Sequence, residues 1–390
     1  MSSGLISMPW WGYIAIALAF THVTIASVTI YLHRYQAHRA LELHPAVALF
    51  FRTWLWLTTG MTTKNWTAVH RKHHAFVETA EDPHSPQVLG IHCVLWQGAE
   101  LYRIEAKKEE TRAKYGHGTP EDWLERHVFL HDRIGVVLML ITNVILFGPL
   151  GLSIWAVQMA WIPMFAAGVI NGAGHWWGYR NFETADTSTN LTPWALFIGG
   201  EELHNNHHAF ASSARFAVKP WEFDIGWCYI QLFCVLKLAR VKKLAPRLHV
   251  DGAKQGIDIE TLRAMITSQW HVMADYAQRV VQRVHREELR QAGNEAKGPL
   301  KPIKRLISRS PRFLGDTERI VLNEGLAHSR ALTVVYQFQQ QLQALFAERA
   351  ASQDRLLAQL QEWCREAEAT GVAALAEFAD RIRGYSLQQA

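Results

Sequence analysis

Several absences narrow this chain before any motif is read. Among 390 residues there are four cysteines, Cys93, Cys228, Cys234 and Cys364. None belongs to a C-x-x-C pair, which argues against a zinc ribbon, a thiol redox motif and a disulfide framework. Reduced thiols are expected. The stretch Met1 to Leu32 has no lysine or arginine. It therefore lacks the positive start of a secretory signal and reads as a retained membrane segment. Internal repeats and low-complexity segments are missing. The net charge is +5 and the pI about 9.0. Its basic residues flank apolar segments instead of forming a stripe on a recognition module, so nucleic acid is not an expected partner.

What is present divides sharply. Hydrophobic residues make up 49% and the mean hydropathy is −0.06, but the first half is apolar and Trp-rich while the part after Arg240 is charged. This predicts a membrane domain over residues 1–246 and a soluble helical extension over 247–390. Trp10 to Leu32 is long enough to cross a bilayer; one span, or a short hairpin returning the N-terminus, both fit. Ala46 to Met61 is shorter and interrupted by Arg52, and reads as interfacial or re-entrant. Ile134 to Gly174 would reach roughly 60 Å as one helix, about twice a hydrocarbon core. Two antiparallel spans turning at Gly148-Pro149 are the natural solution. Lys237, Arg240, Lys242, Lys243 and Arg247 form a basic cluster. Gly293 to Pro311 looks like a linker or loop. Arg319 to Arg383 reads as helix from its apolar spacing, and the tail from about Asp251 as a solvated helical appendage or an interaction helix.

The histidines carry the functional signal. Sixteen of the 20 lie before Ala209, many of them in clusters beside the apolar segments: His33 and His38; His70, His73 and His74; His204, His207 and His208. His175 follows Asn171 by four. Positions i, i+3 and i+4 share a helix face, so each H-x-x-H-H cluster is expected to converge on one point, and His33 with His38 fits a helix end where the last turn loosens. His22, His44, His92, His117, His127, His131, His249, His271, His285 and His328 are isolated and read as surface or interfacial residues. Clustered imidazoles would repel if protonated and cost desolvation if buried; a bound cation resolves both. Nine nitrogen donors are too many for one ion, which implies two. Zinc sites generally need three or four ligands, so two redox-active irons fit better, although counting leaves other transition metals open. The histidine segments must lie on one side of the bilayer, which is why Ala46–Met61 is not expected to cross.

These clusters resemble, in order and context, the membrane-bound fatty-acid desaturases, specifically the acyl-CoA (stearoyl) delta-9 type and its bacterial relatives. The segment from Asn65 to His84, ending in Asp82-Pro83-His84, looks like that family's second box. Asn171 to His175, followed by Gly178 to Arg180, is similar to its N-x-x-x-H, and Gly200 to Phe210 to its third box. The likeness spans roughly His33 to Pro246. It implies an all-α integral membrane fold with few transmembrane helices, a cytosolic-face di-iron site and, here, a helical C-terminal tail, in a bacterial inner membrane. It implies nine iron ligands, His33, His38, His70, His73, His74, His175, His204, His207 and His208, with Asn171 acting through a water. O2 is the implied co-substrate and a saturated fatty-acyl chain the substrate, converted to a cis-unsaturated one. Trp66, Trp176 and Trp177 are candidate tunnel or rim residues, and interfacial packing fits them as well. Glu78, Asp82, Glu201, Glu202 and Asp186 are candidates to bond the outer nitrogens of ligating imidazoles.

The chain also departs from the family pattern. Asn206 stands where an aromatic is common, and Val69 replaces an acid. Pro86, Gln87 and Val88 replace basic residues, so an acyl chain esterified in membrane lipid is as much an expected substrate as acyl-CoA. No H-P-G-G haem motif occurs, so electrons are expected from a separate ferredoxin-, rubredoxin- or cytochrome-type donor with its reductase. A di-iron alkane or lipid hydroxylase is the nearest rival. A metal transporter would need ionisable residues through several spans, whereas these histidines gather at span ends.

Overall fold

An unbroken apolar run favours one long helix, and α1 extends over Trp10–Ala37 in the computed structural model, which describes residues 4–348 and 350–387. The hairpin alternative is not formed. Thr24 and Ser27 return their hydroxyl protons to the carbonyls of Phe20 and Val23, so these two hydroxyls are satisfied within the helix. Its last part, Ser27–Ala37, is a π-helix. A π turn bonds residue i to i+5, and the His38 N–H does donate to the His33 carbonyl at 3.1 Å. The odd spacing of the first histidine pair is thus the period of a π turn rather than a frayed end.

The segment containing Arg52 is a single helix, α2 (Pro45–Thr59), begun by Pro45 in the first turn and stopped at Gly60, whose φ is 66°. Arg52 is held by both carboxylate oxygens of Asp122, at 2.7 and 2.9 Å. Helix α3 (Thr63–Phe76) carries the second histidine cluster. After α4 (Ile91–Ala106) come α5 (Asp132–Phe147) and α6 (Pro149–Ala173), joined at Gly148 (φ 64°, ψ −147°). The hairpin expected at Gly148-Pro149 is therefore present. A Cβ at Gly98 would lie 2.2 Å from the Ala167 carbonyl oxygen, and one at Gly168 would lie 2.5 Å from that of Leu95. Glycine is what lets α4 and α6 cross so closely. The last part of α6, from Ile162, is again π-helical. Among the described residues two helices, α1 and α6, are long and apolar enough to cross a membrane.

The described residues are mostly helical, but not wholly. Three two-stranded ladders are added: Leu41–Leu43 with Ala239–Val241, Trp194–Ala195 with Phe223–Asp224, and Leu248–Val250 with Tyr385–Leu387. Each clips loops whose backbone groups would otherwise lack partners. The first begins three residues after His38 and pins the exit of the first cluster.

The chain divides into two compact units, Met1–Arg180 with Asp186–Ala245, and Asn181–Ala185 with Pro246–Ala390. The second unit is neither a bare appendage nor one helix. Arg319 to Arg383 falls into four helices, Asp316–Ala327, Arg330–Ala347, Gln353–Ala369 and Ala373–Arg383. Their apolar faces close over a shared core that includes Tyr276, Leu332, Leu342, Trp363, Phe378 and Ile382. Tyr276 donates to the Val335 carbonyl at 2.6 Å and Trp363 to that of Phe338 at 3.1 Å. The expected linker Gly293–Pro311 contains short helices, Asn294–Leu300 and Ile303–Leu306. Leu300, Ile303 and Ile307 are buried in this core. Polar composition hid an apolar face of only a few residues.

Candidate metal centre

The nine histidines singled out by their spacing come together, in two groups. His33, His38, His70, His74 and His207 place one ring nitrogen each within 4.8 Å of all the others, and so do His73, His175, His204 and His208. Each H-x-x-H-H cluster is split between the groups, which corrects the expectation of one focus per cluster. At about 100° per residue, i and i+4 diverge by about 40° while i+3 and i+4 diverge by about 100°. His70 and His74 therefore face one group and His73 the other; His204 and His208 face the second and His207 the first. One short helix with this motif serves two foci.

Carboxylates orient the rings from behind. Nδ1 of His33 lies 2.7 Å from Glu201, that of His73 2.9 Å from Asp82, and that of His208 2.9 Å from Asp186. His175 Nδ1 is 3.4 Å from Glu78. A carboxylate accepts only, so Nδ1 carries the proton and Nε2 turns its lone pair inward. Glu202 does not join them; it accepts the backbone N–H groups of Phe197, Ile198 and Gly200. Glu78 sits at φ 59°, a costly conformation for a residue with a Cβ, held while its carboxylate takes the Thr187 N–H at 2.6 Å.

Protonation is disfavoured across most of the centre. Burial first, then neighbouring imidazoles, hold His70, His74, His204 and His207 well below the ordinary imidazole range. Burial brings His208 down to about 4 against the pull of Asp186. His73 is raised, because Asp82 outweighs the burial that lowers it. Despite burial, Asp82 and Asp186 stay below the usual carboxylate range beside His73 and His208.

Facing Nε2 atoms approach closely: His33 to His207 3.1 Å, His38 to His70 2.8 Å, His74 to His207 2.9 Å, His175 to His204 3.0 Å and His204 to His208 3.1 Å. With metal–nitrogen bonds of about 2.1 Å, an octahedral ligand edge is about 3 Å. The Nε2 of His73 is buried without a partner among the described residues. Donor set, spacing and orphaned nitrogen all fit a pair of transition-metal ions.

A cavity of about 270 Å³ adjoins both groups. His33, His70 and His204 line it, with Ile25, Met159 and Ile162 among many apolar residues, and Asn171 takes part in the lining. Trp66 lines it too and stacks on His70 at 4.8 Å between centroids and 13° between planes. Trp176 and Trp177 are 43% and 57% exposed and do not line this cavity. Spacing did not reveal Arg34. Fully buried, it donates to Asp224 at 3.0 Å and to the Ala214 and Gly199 carbonyls, and lies 3.9 Å over the Phe216 ring. It ties the first cluster to the loops around the third. Asn206, where an aromatic was noted as common, anchors the third cluster by donating to Glu222 at 2.8 Å and to the Phe216 carbonyl at 2.9 Å.

Two families and several known proteins match parts of the chain. The family described as fatty acid desaturase matches residues 8–222. A second family, described as transposase, matches residues 263–388. The chain is 32% identical to a delta-9 desaturase-like 4 protein of Arabidopsis thaliana, over 61% of this chain and 79% of the relative. It is 30% identical to the delta-9 acyl-lipid desaturase 1 of the same plant, over 60% and 76%. It is also 31% identical to an acyl-CoA C20 delta5-desaturase of Anemone leveillei, over 58% and 72%.

Proposed function

Because the chain belongs to the fatty acid desaturase family, we propose that it is an O2-dependent delta-9 acyl desaturase of a bacterial inner membrane. In this reading its nine clustered histidines hold two iron ions, with Asn171 acting through a water. The observation that carries the proposal is the pair of imidazole groups opening on one apolar cavity. When bound, the irons would supply the oxygen chemistry that removes two hydrogens from neighbouring methylenes, leaving a cis double bond and water. Electrons come from a separate ferredoxin-, rubredoxin- or cytochrome-type donor with its reductase.

The chain's own residues do the rest. Carboxylates behind His33, His73, His175 and His208 fix ring orientation and proton position. The apolar lining admits a saturated chain, each buried methylene contributing roughly 0.8 kcal/mol, and keeps bulk water from the reacting carbons. Trp66, flat against His70, narrows the passage beside the first group. Apolar side chains face outward on α1, α5 and α6, among them Leu18, Ile134, Ile141, Ile145 and Leu152. Such a surface suits lipid contact, with the histidine groups toward the cytoplasm. Gln87, standing where basic residues are common in the family, donates instead to the His175 carbonyl and to Thr187. That supports an acyl chain carried by phospholipid beside, or in place of, acyl-CoA.

The test is membranes containing the protein, fed labelled stearoyl-CoA and labelled phospholipid. Loss of two hydrogens from the acyl chain is expected, and gain of one oxygen would overturn the proposal in favour of a hydroxylase. His207→Ala should abolish product while the protein stays in the membrane; retained activity would also overturn it.

A further inference from the structure

His84 is buried at this centre with no task in the nine-ligand reading. It is 4% exposed, and its ring stacks on His73 at 4.4 Å and 26°. Its backbone N–H donates to Asp82 Oδ1 at 3.1 Å, the same oxygen that takes His73 Nδ1 at 2.9 Å. The Asp-Pro-His turn thus sets one ring against another through a shared carboxylate. His84 Nε2 is buried with no hydrogen-bond partner among the described residues. The ring also lines the cavity that takes in Asn171 and His204. A buried, unpaired ring nitrogen is uncommon and asks for a partner from outside the chain. Packing on His73 alone would be served by phenylalanine. The methylenes of an acyl chain offer neither donor nor acceptor, so the partner must be small and polar.

The two groups are unequal, with five imidazoles in one and four in the other. An ion held by four imidazoles would keep more open positions than one held by five, and His84 lies against His73 of the four-imidazole group. We propose that His84 Nε2 supplies the hydrogen bond that orients the small oxygen-bearing molecule, water or O2, taken up at the four-imidazole group. This rests on the desaturase reading.

The test uses full-length, iron-loaded protein as wild type, His84→Phe and His84→Gln. Azide is the probe, titrated by visible absorbance of the oxidised protein, with iron per chain and O2 consumed per double bond measured alongside. His84→Phe is expected to keep its iron, to bind azide about tenfold more weakly, the loss of roughly one hydrogen bond, and to waste O2. His84→Gln should recover much of both. Unchanged azide binding and O2 use in His84→Phe would overturn the proposal and leave His84 as packing. Iron loss from both variants would overturn it too, making the ring a prop for His73. If His84→Phe does not accumulate, His84→Gln is judged alone, and azide binding and O2 use equal to wild type overturn the proposal. Failure of the desaturase reading would look different, since wild type itself would then form no double bond.

Discussion

The two units of this chain use apolar residues in opposite ways. In the first, Leu18, Ile141 and Leu152 lie exposed while His33, His73, Arg34 and Asp224 are buried. In the second, Leu342, Leu360 and Trp363 are buried, and ion pairs such as Arg283–Glu377 and Arg365–Glu362 stand at the surface. The contrast teaches that burial follows the partner available. Buried charge in the first unit is held by fixed partners, either an opposite charge, as Arg34 has Asp224 at 3.0 Å, or backbone N–H groups, as at Glu202; unpaired, it would be too costly. The second unit relies on hydrophobic burial, and its surface pairs contribute little.

The largest effect is expected where the contrast is taken at its word. Trp363→Ala should destabilise the second unit by about 3–5 kcal/mol, read as protease sensitivity of residues 246–390 in the full-length protein, with desaturation near wild type. A parallel fall in activity would break the comparison by showing that the two units are coupled. Asp82→Asn should come next. The acceptor for His73 Nδ1 is weakened, and metal affinity should fall about 10- to 100-fold, measured by competition with a chelator. Unchanged affinity would mean that the buried carboxylate is structural.

The smallest effect belongs to Asp258, which caps the helix Ile259–Thr267 by accepting the Thr261 N–H at 2.8 Å. Asp258→Ala should cost about 1 kcal/mol at neutral pH. Burial raises the Asp258 pKa, but Lys254 and Thr261 outweigh it and bring it to about 2, below its ordinary 3.8. A folded-state pKa below the unfolded one gives stability that is present above 3.8 and lost as pH falls toward about 2. The difference between wild type and variant should therefore vanish over that window in denaturant titrations. A difference that persists below it would place the stabilisation elsewhere.

Much of the centre was legible because its chemistry is local. Imidazoles at helical spacing beside apolar runs announce themselves, and the hairpin at Gly148 follows from length and a Gly-Pro pair. Glu202 was misread because neighbouring acids look alike in a sequence; only the turn at Ile198–Gly200 decides which one meets an imidazole. The Gly293–Pro311 stretch was misread as linker because Leu300, Ile303 and Ile307 are too few to announce a face before the surrounding helices exist.

Sequence by itself determined that the histidines would fall in helically spaced clusters and that the flanking segments are apolar, because spacing and hydropathy are properties of single segments. Tertiary structure decided which carboxylate backs each ring, how the separate clusters meet in two foci, and that Arg34 belongs at the centre. Contacts such as His33 with Glu201 and Arg34 with Asp224 join segments far apart in the chain, and no pattern within one segment encodes them.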